Sequence, residues 1–130
     1  MIDTQWYDEE QTILYVKFPS EWTWSDYDMG IRRIRQMIQS EGCLMDCIVD
    51  MRASATLPEG VAYEHIYRGR VTVDPQFRMF VFVGASDVLQ GLISVINHVH
   101  QPAQKSRYFV ETLDDALELI MTKRDSYAHN

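Results

Sequence analysis

The sequence predicts an α/β domain: a mainly parallel sheet of about five strands with one antiparallel edge strand, flanked by about four helices. Three observations carry this. The chain opens on two apolar runs separated by an acidic turn, three further apolar runs have strand length, and the segments between them have helical periodicity. Short strands alternating with helices are the pattern of βαβ units, whose right-handed crossovers lay successive strands parallel in one sheet covered on both faces.

The elements follow in order. Gln5-Trp6-Tyr7 and Thr12-Ile13-Leu14-Tyr15-Val16-Lys17-Phe18 flank Asp8-Glu9-Glu10-Gln11, and aromatic and β-branched residues on either side of a polar turn read as a β-hairpin. Thr23 precedes Trp24-Ser25-Asp26, so its hydroxyl can accept a free N–H of a first helical turn, while Asp26 favours the positive end of the helix dipole. In the helix that starts there, Tyr27, Ile31, Ile34 and Ile38 repeat at spacings of four, three and four and share one face. Arg32, Arg33 and Arg35 point mostly elsewhere, and Gly42 stops the helix.

Cys47-Ile48-Val49-Asp50-Met51 is the next strand, followed by a helical segment over 60–70 and a strand over 77–84. Ser86-Asp87 then opens a helix over 88–100, with Val88, Leu89, Leu92, Ile93, Val95, Ile96 and Val99 on a broad apolar face. Arg107-Tyr108-Phe109-Val110 is the last strand. Thr112-Leu113-Asp114-Asp115 caps a final helix over 116–124, whose Lys123 and Arg124 suit the negative end of its dipole. Residues 125–130 are expected to fray. The order is β-β-α-β-α-β-α-β-α in a single domain over residues 1–130, since one core typically serves about 100 to 200 residues.

Charge and composition narrow the function. Nineteen Asp and Glu against 12 Lys and Arg leave a net charge of -7, whose field repels the phosphates of nucleic acid and anionic lipid. The N-terminal MIDTQWYDEEQ lacks the basic start and apolar run of a secretory signal, and the longest apolar stretch, MFVFVGA, falls far short of the roughly 20 residues of a membrane helix. A cytoplasmic protein without membrane insertion is expected. Cys43 and Cys47 are too close for a secreted disulfide framework and read as reduced structural thiols.

The element order, with the strand-to-helix junction IVDMRASATLPEG (48–60) in its middle and the closing FVETLDDALELI (109–120), resembles the STAS fold of bacterial anti-sigma-factor antagonists. It is more similar still to uncharacterised bacterial STAS-like proteins, from the first hairpin to about Met121. The resemblance implies a non-catalytic regulatory domain that works through a protein partner in bacterial signalling. In the antagonists, a Ser or Thr at the start of the second helix, inside an Asp-Ser-Ser-Gly-like segment, is phosphorylated by a partner kinase. Here that helix start reads Leu57-Pro58-Glu59-Gly60, so Gly60 alone matches, and the nearest hydroxyls are Ser54 and Thr56 upstream.

Thr56-Leu57-Pro58-Glu59 itself fits a capping box, with the Thr hydroxyl on helix N–H groups and Glu59 reaching back. The alternative is a phosphoacceptor at Ser54 or Thr56, because a phosphate at a helix N-terminus meets free N–H groups and Arg52 is near enough in sequence to pair with it. Asp50 ends a strand, where receiver domains carry their phosphoacceptor, but TILYVKFPS supplies none of the further carboxylates that hold the metal. Asp50 is expected to cap backbone amides.

The second helical segment offers Tyr63, Tyr67, Arg68 and Arg70 as a partner surface, since Tyr and Arg are enriched at interface hot spots. His98 and His100 are two apart and cannot face one metal from a continuous helix. Neither a metal nor a cofactor is expected. The aromatic set Trp6, Trp22, Trp24, Phe77, Phe80 and Phe82 either packs the core or lines a pocket for an apolar ligand.

An edge strand such as Gln5-Trp6-Tyr7 is open to pairing with a second copy, so a homodimer is one expectation. Three functions stay open from the residues: a protein-interaction regulator, a carrier or sensor of a small apolar ligand or lipid, and an enzyme of unrecognised type.

Overall fold

Two antiparallel strands, β1 (Asp3–Trp6) and β2 (Ile13–Lys17), begin a five-stranded sheet that β3 (Met45–Asp50), β4 (Phe77–Val83) and β5 (Ser106–Val110) extend in parallel. This architecture comes from a computed structural model, which describes residues 2–38, 45–54, 57–59, 64–66, 68, 77–99 and 106–128. The strands lie in chain order, β1-β2-β3-β4-β5. Every crossover after β2 therefore steps the same way, and right-handed crossovers that step the same way place their helices on one face.

That face carries α1 (Trp24–Ile38), the helical residues 64–66 and 68, and α2 (Asp87–Val99). The other is covered by α3 (Leu113–Ala128), whose Ala116 and Ile120 sit fully buried on Ile13, Ile48, Met79 and Val81. The two layers expected from the sequence are present, with the helices shared unequally.

Local chemistry fixes the ends. Asp8 accepts from the Thr12 and Ile13 N–H groups, each at 2.9 Å, and from the Thr12 hydroxyl, closing the hairpin with Gln11 in the left-handed region at φ 58°. Thr23 and Asp26 form a reciprocal box, each backbone N–H donating to the other's side chain at 3.0 Å, and the Thr112 hydroxyl accepts from Asp115 N–H at 3.0 Å.

Three expectations change. Val88 is 71% exposed, because the buried seam of α2 runs through Leu89 and Ile93 and Val88 stands about 100° round the helix from Leu89. The last helix continues through Ala128, four residues past Arg124, since residues 125–128 contain neither Gly nor Pro to stop it. Lys123 and Arg124 therefore lie before the last turn, which holds no basic residue, and Arg124 is placed for a tertiary ion pair instead. Its Nε donates to Oδ2 of the fully buried Asp46 at 2.8 Å and its Nη1 and Nη2 reach Thr12 at 3.1 Å, tying α3 to the start of β3 and the hairpin.

Arg78 meets the same Asp46 oxygen at 3.1 Å, and it can do so because the β3–β4 register shifts there, from Met45↔Phe77 to Asp46↔Met79. The extra residue in β4 breaks the alternation, so that Phe77 joins Phe80 on the face of α1 and α2 while Met79 and Val81 face α3.

Candidate functional site

On the face of α1 and α2 the packing leaves an apolar cavity of about 110 Å³. Its floor is the sheet: Val16 from β2, Cys47 and Val49 from β3, and Phe80 and Phe82 from β4. Its roof is Tyr27 and Ile34 from α1, Ile66 from the helical turn, and Leu89 and Ile93 from α2.

One end is an aromatic cluster built by the loop into α1. Phe18 and Trp22 meet edge to face at 4.8 Å, Trp22 and Trp24 at 5.1 Å, and Trp24 and Tyr27 at 5.5 Å. Proline at 19 and the Thr23 cap turn the chain sharply between β2 and α1, and this brings Trp22 and Trp24 back over the sheet. Both indoles are fastened at their polar ends: Trp22 Nε1 donates to Ser54 Oγ at 2.8 Å and Trp24 Nε1 to the Pro58 carbonyl at 3.3 Å. The cavity wall and the junction after β3 are thus one hydrogen-bonded unit.

A pin joins α1 to the helical turn above the cavity. His65 stacks on Trp24 with centroids 5.0 Å apart and planes 9° off parallel. Its Nδ1 lies 3.1 Å from both Asp28 Oδ1 and Arg68 Nη2. One ring nitrogen carries one proton or one lone pair, so it donates to Asp28 or accepts from Arg68, never both.

At the carboxyl end of β3, Asp50 is buried and accepts from the Tyr15 hydroxyl, from Arg52 N–H at 3.1 Å, and from the Arg52 guanidinium at 3.0 and 2.7 Å. Burial pushes its carboxyl up, but the bonds from Arg52 and Tyr15 outweigh that and hold it at about 2. The same geometry, burial first and the bond to Asp50 second, raises the Tyr15 phenol, and the Asp50 bond and charge raise the Arg52 guanidinium. Asp50 does cap a backbone amide as expected, and it also anchors two side chains.

Of the residues singled out from sequence, Ser54 is buried with its hydroxyl on Trp22, and Arg68 is exposed beside His65. Thr56, Tyr63, Tyr67 and Arg70 lie outside the described residues, as do Cys43, His100 and the side chain of His98. Trp22, Trp24, Phe80 and Phe82 of the aromatic set line the cavity, while Phe77 is fully buried in the core and Trp6 packs against it from the edge strand. The loop tryptophan Trp22 is buried, not displayed. Sequence reasoning missed Tyr15, Asp46 and Arg107; a charged residue in an apolar strand run, as at Asp46, is the one signal that was available for them.

The sheet order, one antiparallel edge and a strand-to-helix junction in mid-chain define a STAS-like, SpoIIAA-like α/β fold. Solved structures that share it include the following two. The chain superposes with TM-score 0.66 on an uncharacterised protein of the DUF3478 family with a SpoIIAA-like fold from Shewanella loihica, at 16% identity over 92% of this chain and 91% of that one. It superposes with TM-score 0.60 on an anti-sigma-factor antagonist (STAS) domain protein from Planctomyces limnophilus, at 16% identity over 92% of this chain and 97% of that one. No protein-family model matches the sequence, and no curated protein matches it. Among the described residues, no helix is long and apolar enough to cross a membrane.

Proposed function

We propose that this chain is a non-catalytic, cytoplasmic regulatory domain of STAS-like type, which takes a small apolar molecule as its input and contact with a protein as its output. The observation that carries the input is the cavity itself. Its walls are almost wholly apolar, and an aromatic-lined hollow with few polar groups is the usual form of a small-molecule site.

The output reading rests on the shared fold and on the position of the junction. Ser54 sits between β3 and the helical turn, and its hydroxyl is bonded to a cavity-wall tryptophan. A molecule that displaces Trp22 would loosen Ser54, and a phosphate on Ser54 would act on the same contact from the other side, with Thr56, two positions on in the sequence, as the alternative acceptor. Arg68, with Tyr63, Tyr67 and Arg70 of the same segment, is the partner surface in this reading.

The test is protein purified gently from its own cells, followed by native mass spectrometry and by capture of bound partners. A non-covalent mass lost on denaturation, together with a partner whose capture depends on it, is the expected result. An empty protein that binds its partner equally well after solvent extraction would remove the ligand as input.

A further inference from the structure

Resting on the reading of the cavity as a ligand site, we infer that its ligand is a neutral hydrocarbon of about one ring in size, with no group that donates or accepts a hydrogen bond. The wall decides the chemistry. Among the described lining residues, every one whose side chain carries a polar hydrogen already has a partner inside the protein. Trp22 Nε1 donates to Ser54 and Trp24 Nε1 to the Pro58 carbonyl. Arg107 stands over the Phe80 ring, 4.7 Å from its centroid, and it has a further interaction of its own, as have Tyr27 and Cys47.

The backbone offers little more. The floor is laddered from β2 to β4 and the roof of α1 and α2 is helical, so the N–H and C=O groups there are spent in secondary structure. A hydroxyl entering this hollow gives up its water and gains a partner only by breaking a contact that already exists. A carboxylate or an ammonium loses far more on leaving water. A hydrocarbon loses no hydrogen bond and takes its own surface out of water.

Volume sets the size. A dry cavity of about 150 Å³ holds benzene, and this one is about 110 Å³. One ring is therefore a tight fit that presses the wall outward. The floor strands are laddered to their neighbours, whereas each indole at the aromatic end is held by ring contacts and one hydrogen bond from its Nε1. The wall gives at Trp22 and Trp24, which are tied to the junction after β3, so occupancy is felt there first.

The experiment titrates the whole chain with benzene and cyclopentane, and with phenol and benzoate as polar counterparts, following Trp fluorescence and the indole N–H signals in NMR. Both hydrocarbons are expected to move the Trp22 and Trp24 signals, and the tighter of the two tells a flat ligand from a saturated one. Benzene is expected to bind at least about tenfold more tightly than phenol when each is referred to its transfer from octanol, where phenol keeps a hydrogen bond. Benzoate leaves the signals in place. Val49→Thr sets a hydroxyl on the cavity floor and narrows the gap between benzene and phenol; a gap that it leaves unchanged would overturn unmatched polarity as the cause. Phenol that binds as well as benzene on that scale, or benzoate that saturates the site, would overturn the hydrocarbon and leave a ligand site of another chemistry. Four probes that leave every indole signal unmoved would overturn the ligand site as well.

Discussion

Trp22 donates from its indole nitrogen to the hydroxyl of Ser54 at 2.8 Å, across 32 residues of sequence and with both residues buried. The bond fixes the loop entering α1 to the loop leaving β3, so a perturbation at either is felt at the other. Replacing Ser54 with Ala strands a buried indole N–H without an acceptor. The expected cost is about 1–3 kcal/mol of stability, read as a lower Tm. A red-shifted Trp emission should accompany it.

Asp50 gives the protein a defined acid response. Its folded carboxyl titrates at about 2, below the ordinary 3.8, so between those values the unfolded chain holds a proton that the folded chain refuses. The stabilisation is complete above pH about 4 and is lost as pH falls toward 2. Its size is about 1–2 kcal/mol, because Arg52 is half in solvent and its charge is partly screened. Urea melts at pH 2 to 5 should show a shallower acid loss in Asp50→Asn than in the parent; identical slopes would assign the response to other carboxylates.

Arg124→Ala leaves Asp46 in the core with Arg78 as its remaining ion-pair partner among the described residues. Removing one partner of a buried pair typically costs about 3–5 kcal/mol, and the second arginine should hold the loss here to about 2 kcal/mol. Hydrogen exchange should quicken in α3 and in the β1–β2 hairpin together, since Arg124 bonds both Asp46 and Thr12. Exchange confined to the end of α3 would mean the contact is not shared.

Gly84 leaves β4 at φ +68°, and a Cβ there would lie 2.6 Å from Arg52 Cγ and 3.2 Å from its Cα. Gly84→Ala meets both a left-handed backbone and the side chain that holds Asp50. The expected loss is about 2 kcal/mol or more, with part of the Asp50 acid response lost alongside. Unchanged stability would show that the loop relaxes freely.

Much of the fold was legible because its signals are local. The Thr23 and Thr112 caps, the acidic hairpin turn and the apolar runs each declare themselves within a few residues, and element order then limits the topology through the handedness of crossovers. The bulge was not legible, since Phe-Arg-Met-Phe-Val-Phe-Val reads as an unbroken strand until the partner register is known. Nor was the role of Arg124: a basic residue near a helix end fits a dipole argument, and only the tertiary arrangement reveals an acid 78 positions earlier in the sequence.

The cavity was half legible. Its aromatic composition was plain, but which rings face the hollow depends on strand parity and on the bend before α1. That is why Phe77, which lies before the bulge, fills the core instead, and why Arg107 drew no notice from its place at the start of a short strand.

The bond between Arg124 and Asp46 also has a meaning in time. A chain is made from its N-terminus, so all five strands are complete by Val110 while the arginine that closes α3 onto Asp46 has yet to be added. Until it arrives, the nascent sheet shows the bare Met79–Val81 side to its surroundings, with Asp46 paired, among the described residues, to Arg78 alone. The last turns of α3 are therefore the piece that closes this face of the sheet, after every strand beneath it has been made.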